Sequence, residues 1–580
     1  MATEVSKYAV FDPRIVQTKP KYAVEKGALS ITNVSFQAQT ADASTCQFNV
    51  QVPSENVFVD RGIEWRATQC ATVVVTVTVP GGDTVPVGTS LQGLVAPGAF
   101  PLHQSTTQMT SSINDATVTV NTLDVLPQVL RLADMRDARR QRTCPTMLDR
   151  YAVYPDSRVV KNSPLNQWDQ TKNSDEVPNG GFNGFYFCTD ATFANAQPLG
   201  AGTAIGSVGY LNGQPYVATA LVAGNNALTF YVAWSSTEKL MLPPYIFADE
   251  DELSTGLFGV QNFQVQMNLS PNPNRAVRVA GNATLVTAAG VLANVTNSSS
   301  TWASLSQGMF LAKPFLDVQF LTPSLDIPLP PKSIVPYMEF PRYISSSYSV
   351  DPSTDIKSLP TQLTSQTITL PNIPDLLVIY AKPSAYANSR NGDWCLPVSS
   401  VSLNFDNFSG LLANHTQQEL YQMSVHNGVD MDWSEWTGLG AVPLSGAAGP
   451  GGNVALVGGP LVLRPGRDFA LQSGQASGLV GNFTLQFNLN VRNFTGSAQS
   501  VNIYTVPISS GFFETIKGSS RIIKGVLTEQ DILGAAPHAP EADLERPVGS
   551  AMVRPYGNMA QARDVKGPSR SKHSSMGAYM

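Results

Sequence analysis

Apolar and polar side chains alternate without a break along residues 482–491. Phe483, Leu485, Phe487, Leu489 and Val491 take one side, and Asn482, Thr484, Gln486, Asn488 and Asn490 take the other. A period of two predicts a strand with one buried face and one uncharged polar face. The same text occurs earlier at a constant offset of 220 residues, where Val260, Asn262, Phe263, Gln266, Asn268 and Leu269 match Val480, Asn482, Phe483, Gln486, Asn488 and Leu489. Alternation fixes only apolar against polar. It does not dictate Asn, Phe, Gln and Asn at the same steps, so the shared identities predict an internal duplication.

The remaining pattern divides around these twin strands. Upstream, strands are expected at 28–36, 57–61, 72–79 (closed by a turn at Pro80-Gly-Gly-Asp83) and 117–120. A helix is expected from Asp124 to about Asp134, with Leu126, Val129, Leu130 and Ala133 on one side. Residues 145–235 are rich in Asn, Gly, Ser and Pro and predict long loops on the sandwich, with short strands at 185–188 and 228–233. Strands at 283–286 and 315–321 complete this half. Six prolines follow between Thr322 and Tyr343, and because proline fixes φ and lacks a donor, they predict a stiff connector outside any sheet interior. Downstream, strands are expected at 376–381, 401–405, 454–457, 482–491 and 501–506. A helix opens with the capping box Thr416-Gln-Gln-Glu419, carries Leu420 and Met423 on its inner face and stops at Asn427-Gly428.

The resulting partition is an N-terminal arm (1–26), a first β-domain (27–322), the Pro-rich connector (323–341), a second β-domain (342–512) and a C-terminal extension with a tail (513–580). The last thirty residues carry five Lys or Arg against one Asp, the composition of a disordered basic tail. The fold class is all-β with short helices and long loops.

Composition and short signals add to this picture in six places. A chain of 580 residues is too long for one core. Charged residues make up only 14 %, against about a quarter in average proteins, which fits a subunit that buries much of its outside against copies of itself. The net charge of −6 argues against a wholesale nucleic-acid binder. Residues 1–8 lack a basic-then-apolar export signal, and no apolar run reaches the 18 or so residues that span a bilayer. Five scattered cysteines (Cys46, Cys70, Cys144, Cys188, Cys395) read as reduced, mostly buried thiols, with a Cys46–Cys70 bridge as the lesser alternative. Nine glycosylation sequons occur, two of them inside predicted sandwich strands, so glycosylation is the weaker reading.

Chemistry is sparse. Five histidines (His103, His415, His426, His538, His573) form no HExxH or paired metal spacing. Gly446–Gly459 lacks the lysine of a phosphate loop and reads as a flexible loop, and no GxSxG or GxGxxG follows a strand. Asp249-Glu-Asp-Glu252 lacks calcium-loop spacing and reads as a solvated acidic loop. Trp433 and Trp436 could stack on a sugar, but packing is the plainer role. Arg131, Arg136, Arg139, Arg140 and Arg142 could face phosphate, but Asp134 and Asp137 dilute them, and a solvated helix end is preferred. No catalytic, cofactor-binding or metal-ligating residues are assigned, and no cofactor is expected.

Several blocks resemble the double-jelly-roll major capsid proteins of virophages and polinton-like viruses. They are Pro53–Arg61, Ala99–Leu102 through Leu130, Phe320–Pro331 with Pro341-Arg-Tyr343, Leu420–Gly428 followed by Trp433-Ser-Glu, and Gly481–Gln486. Residues 145–235 and the tail match that pattern poorly. The resemblance implies two tandem jelly-roll β-sandwiches and no active site. It further implies a homotrimer serving as a pseudo-hexameric capsomer of an icosahedral capsid. The implied partners are neighbouring capsomers, a penton protein and minor capsid proteins, with no membrane insertion. The implied location is the virion, after assembly inside the host cell. For the tail it leaves open genome contact, trimming by a maturation protease, or docking on a neighbour. The alternative from another class is a carbohydrate-binding or carbohydrate-active β-sandwich protein. That class predicts an export signal and paired cysteines, which this sequence lacks.

Overall fold

The structure is a computed structural model. It describes residues 30–525 apart from 133–184, 189–202, 245–255, 303–310, 324–331, 385–393, 443–451 and isolated positions between. The N-terminal arm, four of the five arginines after Leu130, Cys144, the acidic run 249–252 and the basic tail lie outside the described residues.

Eight of the described strands frame the first sandwich: β1 (Ser30–Gln37), β2 (Thr45–Val50), β3 (Glu64–Val85), β4 (Thr106–Ile113), β5 (Ala116–Val120), β6 (Leu221–Lys239), β7 (Phe263–Leu269) and β8 (Leu311–Thr322). They pair as β1-β8-β3-β6 in one sheet and β2-β7-β4-β5 in the other, all antiparallel. This interleaving of early and late strands is that of a jelly roll. A one-turn helix α1 (Pro101–Gln104) precedes β4, and α2 (Leu126–Val129) follows β5.

The second half adds an edge strand β9 (Ser333–Glu339), then β10 (Tyr343–Val350), β11 (Thr361–Thr364), β12 (Ile368–Asn372), β13 (Leu376–Pro383), β14 (Val398–Phe405) and β15 (Phe408–Leu411). The helices α3 (Gln417–His426) and α4 (Trp433–Trp436) come next, then β16 (Leu461–Leu463), β17 (Val480–Val491), β18 (Gln499–Ile516) and β19 (Ser519–Lys524). The order repeats: β10-β18-β13-β16 forms one sheet, while β11 and β12 flank β17, which leads on to β14 and β15.

The twin strands β7 and β17 therefore hold the same place. Each has an early strand on one side and the first strand of a hairpin on the other. Phe263 and Phe483 point inward in different sheets, and Gln266 and Gln486 are exposed on the polar faces. Asn268 donates to Gln108 on the adjacent strand (3.1 Å), and Asn488 accepts from Thr364 on its own neighbour (2.8 Å). Even the hairpin turns agree, with Asn114 and Asp406 both at positive φ (53° and 51°), a conformation that Asn and Asp tolerate better than other side chains.

Several expectations need correction. Pro80–Asp83 does not close a strand. It bulges out of β3 where Val79 and Thr84 face Gly224 and Val222, and pairing resumes beyond it. β3 thus runs 22 residues, roughly 70 Å at ~3.3 Å per residue, and with β6 (19 residues) rises beyond the sandwich. This projection has its own core of Val73, Val75, Val77, Val79, Leu228 and Phe230, distinct from the core of the two sandwiches. The stretch 221–239, expected as loop and short strand, is one long strand because it has β3 to pair with along its whole length. The helix expected from Asp124 to Asp134 is a single α-turn, and Leu132 leaves it to bridge Val429. Val454 belongs to a side hairpin, Gly452–Ala455 against Leu439–Val442, so Gly446–Gly459 is not simply a loop; the sandwich strand is Leu461–Leu463. The second half of the Pro-rich connector forms β9, on the sheet edge, where Pro336 is exposed and its missing donor costs nothing. Residues 513–524, expected in the extension, are sheet.

The helix α3 forms as its capping box requires, with Thr416 and Glu419 exchanging hydrogen bonds and Leu420 buried. Cys46, Cys70 and Cys395 are buried free thiols. Burial pushes Cys46 up to about 12 and Cys395 up to about 11, out of reach of thiolate chemistry near neutral pH.

Phe263→Ala and Phe483→Ala should each cost about 3–5 kcal/mol of local stability. Hydrogen exchange by mass spectrometry checks the duplication. Phe263→Ala should accelerate exchange in β2, β4 and β7, and Phe483→Ala in β11, β12, β14 and β17. Equal acceleration of both groups by either variant would contradict two separate sandwiches.

Candidate functional site: the seam between the two rolls

Among the described residues no group of three or more His, Cys, Asp or Glu could hold a metal ion. The pair that most resembles acid–base machinery is His103 with Glu238, both fully buried, at 2.5 Å. Glu238 also accepts from the backbone N–H groups of Leu102 and His103, and His103 Nε2 accepts from Met241 N–H. The imidazole proton therefore sits on Nδ1, and both residues are spent in tying α1 to the end of β6. His415 and His426 lie at the start and end of α3, away from this pair.

The polar chemistry of the fold gathers instead where the two rolls meet, and it does so in two places. The first is the segment after β5. Its apolar residues Val125, Leu126, Val129, Leu130 and Leu132 are buried. Asp124 turns into the outer face of the β10-β18-β13-β16 sheet, where Arg342 donates to its Oδ2 and Lys382 Nζ lies 3.5 Å from its Oδ1. Lys382 also donates to Leu123 O (3.4 Å), and Tyr380 donates its hydroxyl to Asp124 O (2.7 Å). Tyr380 stacks on Tyr504 at 5.2 Å. Burial first, and then the neighbouring Asp124, raise the Tyr380 phenol well above its ordinary value, so it stays a donor.

Arg131 closes this contact. It is buried, not solvated and not facing phosphate, and it donates through Nη1 to Gly458 O (3.3 Å), while its own carbonyl accepts from Asp430 N–H. A cluster of arginines in the text had suggested a charged helix end; a neighbouring roll supplies the burial that sequence could not show.

The second contact is a strap. The β18–β19 hairpin reaches across to the turn between β4 and β5. Asp115 accepts from Ser520 N–H and Ser519 Oγ, Asn114 Nδ2 donates to Ser520 Oγ (2.9 Å), and Gly518 N–H donates to Gly259 O (2.8 Å). The two backbones approach so closely that a Cβ on Gly259 would stand 2.7 Å from Lys517 N, and one on Gly518 2.6 Å from Gln261 Oε1. Glu514 braces the hairpin between Arg521 (2.6 Å) and Lys332 (3.0 Å), which hold its carboxyl below the usual range.

The two tryptophans separate. Trp436 is buried with its indole N–H on Pro460 O (3.0 Å), the packing role expected of it, whereas Trp433 is 38 % exposed and edges against Tyr421.

Comparison with known proteins matches this architecture throughout. Residues 3–312 match the family model described as Sputnik virophage major capsid protein 1st domain, and residues 340–511 match the major capsid protein V20 C-terminal domain. The putative capsid protein V20 of Sputnik virophage is 24 % identical over 558 residues, which is 92 % of this chain and 82 % of that protein. A chain of the Sputnik virophage solved by cryo-EM superposes with a TM-score of 0.69 at 21 % identity, covering 95 % of this chain and 99 % of that one. The mavirus major capsid protein gives 0.64 at 14 % identity, with 91 % and 96 % covered.

Asp124→Ala removes the carboxylate that faces the buried Lys382 ammonium and should cost about 3–5 kcal/mol, measured by urea unfolding. A loss below about 1 kcal/mol would show that the apolar contacts alone carry this part of the seam. A second expectation concerns pH. Hydrogen bonds from Ser520 N–H and Ser519 hold the Asp115 carboxyl below its ordinary 3.8. A depressed carboxylate adds stability above the ordinary value and loses it as pH falls through the lower folded value. Hydrogen exchange in residues 519–524 should therefore rise as pH drops below about 4, after correction for intrinsic rates, and Asp115→Asn should remove that dependence.

Proposed function

The chain belongs to the Sputnik virophage major capsid protein family and is a structural subunit of a viral capsid; from that premise we propose that three copies close into one capsomer of six β-sandwiches. The observation that carries the proposal is the seam. It holds two rolls of the same topology as one unit through unlike surfaces, and unlike surfaces generate rings when the rotation closes. Six such lobes fill a near-hexagonal tile, and copies of that tile cover an icosahedral shell. Family membership sets aside the carbohydrate-active alternative.

The functional division follows the sheets. One roll ends at Thr322, the other begins with β9 at Ser333 and ends with the strap at Lys524, and the domain boundary lies between them. Neighbouring capsomers, a penton protein and minor capsid proteins are the partners this role implies. The basic tail is available for genome contact or for trimming by a maturation protease. The protein acts in the virion after assembly within the host cell.

Light scattering coupled to size exclusion tests the reading. The expected mass is three times the 62.1 kDa chain at micromolar concentration, with six-lobed particles in negative stain. A monomer under those conditions would overturn it.

A further inference from the structure

A sheet that does not close on itself has edge strands, and an open edge offers a row of unpaired backbone N–H and C=O groups to any extended chain. The first roll ends on such an edge at β1. One side of β1 pairs with β8 over its whole length, from Ser30 with Thr322 to Gln37 with Phe315, without a register shift. Among the described residues no strand pairs with its other side.

Side chains hold β1 firmly in place. Val34 and Phe36 pack on the core, with Phe36 edge-on to Phe320 at 6.1 Å. On the opposite face Gln319 donates to Asn33 (2.9 Å) and Ser35 donates to Asp317. The strand is thus fixed from above and below. Its outer main-chain edge is left open, with Ile31 60 % exposed beside it.

Edges of comparable length elsewhere carry guards against strand addition. β9 has Pro336 and Glu339, and β19 has Arg521 and Lys524. β10 breaks register between Ser345 and Tyr348, and the strand Leu292–Trp302 of the projection breaks it between Val295 and Asn297. β1 reads Ser-Ile-Thr-Asn-Val-Ser-Phe-Gln, with no charge, no proline and no bulge. It is built to be paired.

A segment suited to pair it stands directly upstream. Residues 1–29 lie outside the described residues and carry Lys-Tyr-Ala-Val twice, at Lys7–Val10 and Lys21–Val24. The tetrapeptide sets Tyr and Val against Lys and Ala, the alternation of a strand. Lys21–Val24 is tethered by residues 25–29 and stays beside its own β1. Lys7–Val10 is tethered by residues 11–29, which reach roughly 65 Å when extended, against a radius of gyration of roughly 25 Å for a compact chain of this size. In an assembly every arm meets the β1 edges of other copies at short range. That effective concentration favours exchange of an identical element between subunits.

We propose that Lys7–Val10 of one copy adds as a strand to the open edge of β1 in another, with Tyr8 and Val10 on the face that carries Ile31. Main-chain hydrogen bonds supply the affinity, and the contact with Ile31 sets the register. This rests on the self-assembly proposed above and adds to it a link that does not depend on the number of copies.

Two measurements on the assembled full chain test the link. With a photoreactive phenylalanine in place of Tyr8, irradiation should give covalent dimers of twice the 62.1 kDa chain mass, and their cross-linked peptides should map to residues 30–37. Separately, Ala9→Pro removes a donor from the added strand, and Ile31→Lys places a cation on the edge. Each should speed hydrogen exchange in residues 30–37 about 10-fold or more and leave residues 263–269 of β7 unchanged. Covalent dimers that map to β1, together with faster exchange in Ala9→Pro, support the link. Cross-links to 30–37 that stay within one chain, cross-links that map elsewhere, or exchange that Ala9→Pro leaves unchanged overturn it, and the assembly stands. A wild-type chain that is monomeric by light scattering removes the assembly and this link together. If Ile31→Lys melts early, Ala9→Pro decides, since residue 9 precedes both sandwiches.

Discussion

A sheet in a jelly roll has to bury one face, and the second roll's β13 buries both. That constraint shapes the chain around it. Leu376–Ala381 is an unbroken apolar run, unlike the alternation of Glu64–Thr68 in the equivalent strand, because its outer side packs against another roll and not against water. Once this face is committed to the first roll, the polar groups it covers need partners from that roll. Tyr380 finds the Asp124 carbonyl, and Lys382 finds the Asp124 carboxylate and the Leu123 carbonyl. The seam is therefore a consequence of double-sided burial, and the two sandwiches share one continuous apolar core across it.

This commitment was partly legible. A continuous apolar strand among alternating ones is the signature of burial on both faces, and residues 376–381 carry it openly. What covers the strand was not legible, since nothing in a local pattern names a partner over 250 residues away. Arg131 shows the same limit from the other side. Its neighbours in the text are arginines and aspartates, which describe a solvated helix end. Its neighbours in space are Gly458 and Met431.

The duplication was readable because the twin strands sit at the centre of their sheets. A central strand such as β17 has neighbours on both edges and a core beneath it, so its period of two is strict. Strands that owe their length to pairing were harder to recognise. β6 carries Gly224, Asn225 and Asn226 near one end, and these read as loop. They are strand because β3 runs alongside and takes their hydrogen bonds. The bulge at Pro80–Asp83 misleads in the same way, since proline and glycine mark a departure from the ladder and do not say whether the ladder resumes. The strap was missed because Lys517-Gly518 marks a turn in the text, whereas the turn's target, Gly259, is set by a backbone contact that leaves room for no side chain.

The scarcity of charge in this chain also finds its physical reason here. The outer sheet faces carry neutral cross-strand pairs, such as Asn268 with Gln108, Thr364 with Asn488 and Asn490 with Ser400. Such faces are wettable without being repulsive, which suits surfaces destined to lie against copies of themselves. Charges also stand where alignment has to be enforced: Asp124 with Arg342 and Lys382, Asp115 under the strap, Glu514 between Arg521 and Lys332. A buried ion pair adds little net stability over a well-packed apolar pair, but it penalises every arrangement that leaves one partner alone. Apolar contacts would let one roll slide along another at small cost. A carboxylate that must meet two cations and a strap that must meet one turn hold the rolls at a single relative position, and a subunit built to tile needs that position to be the same in every copy.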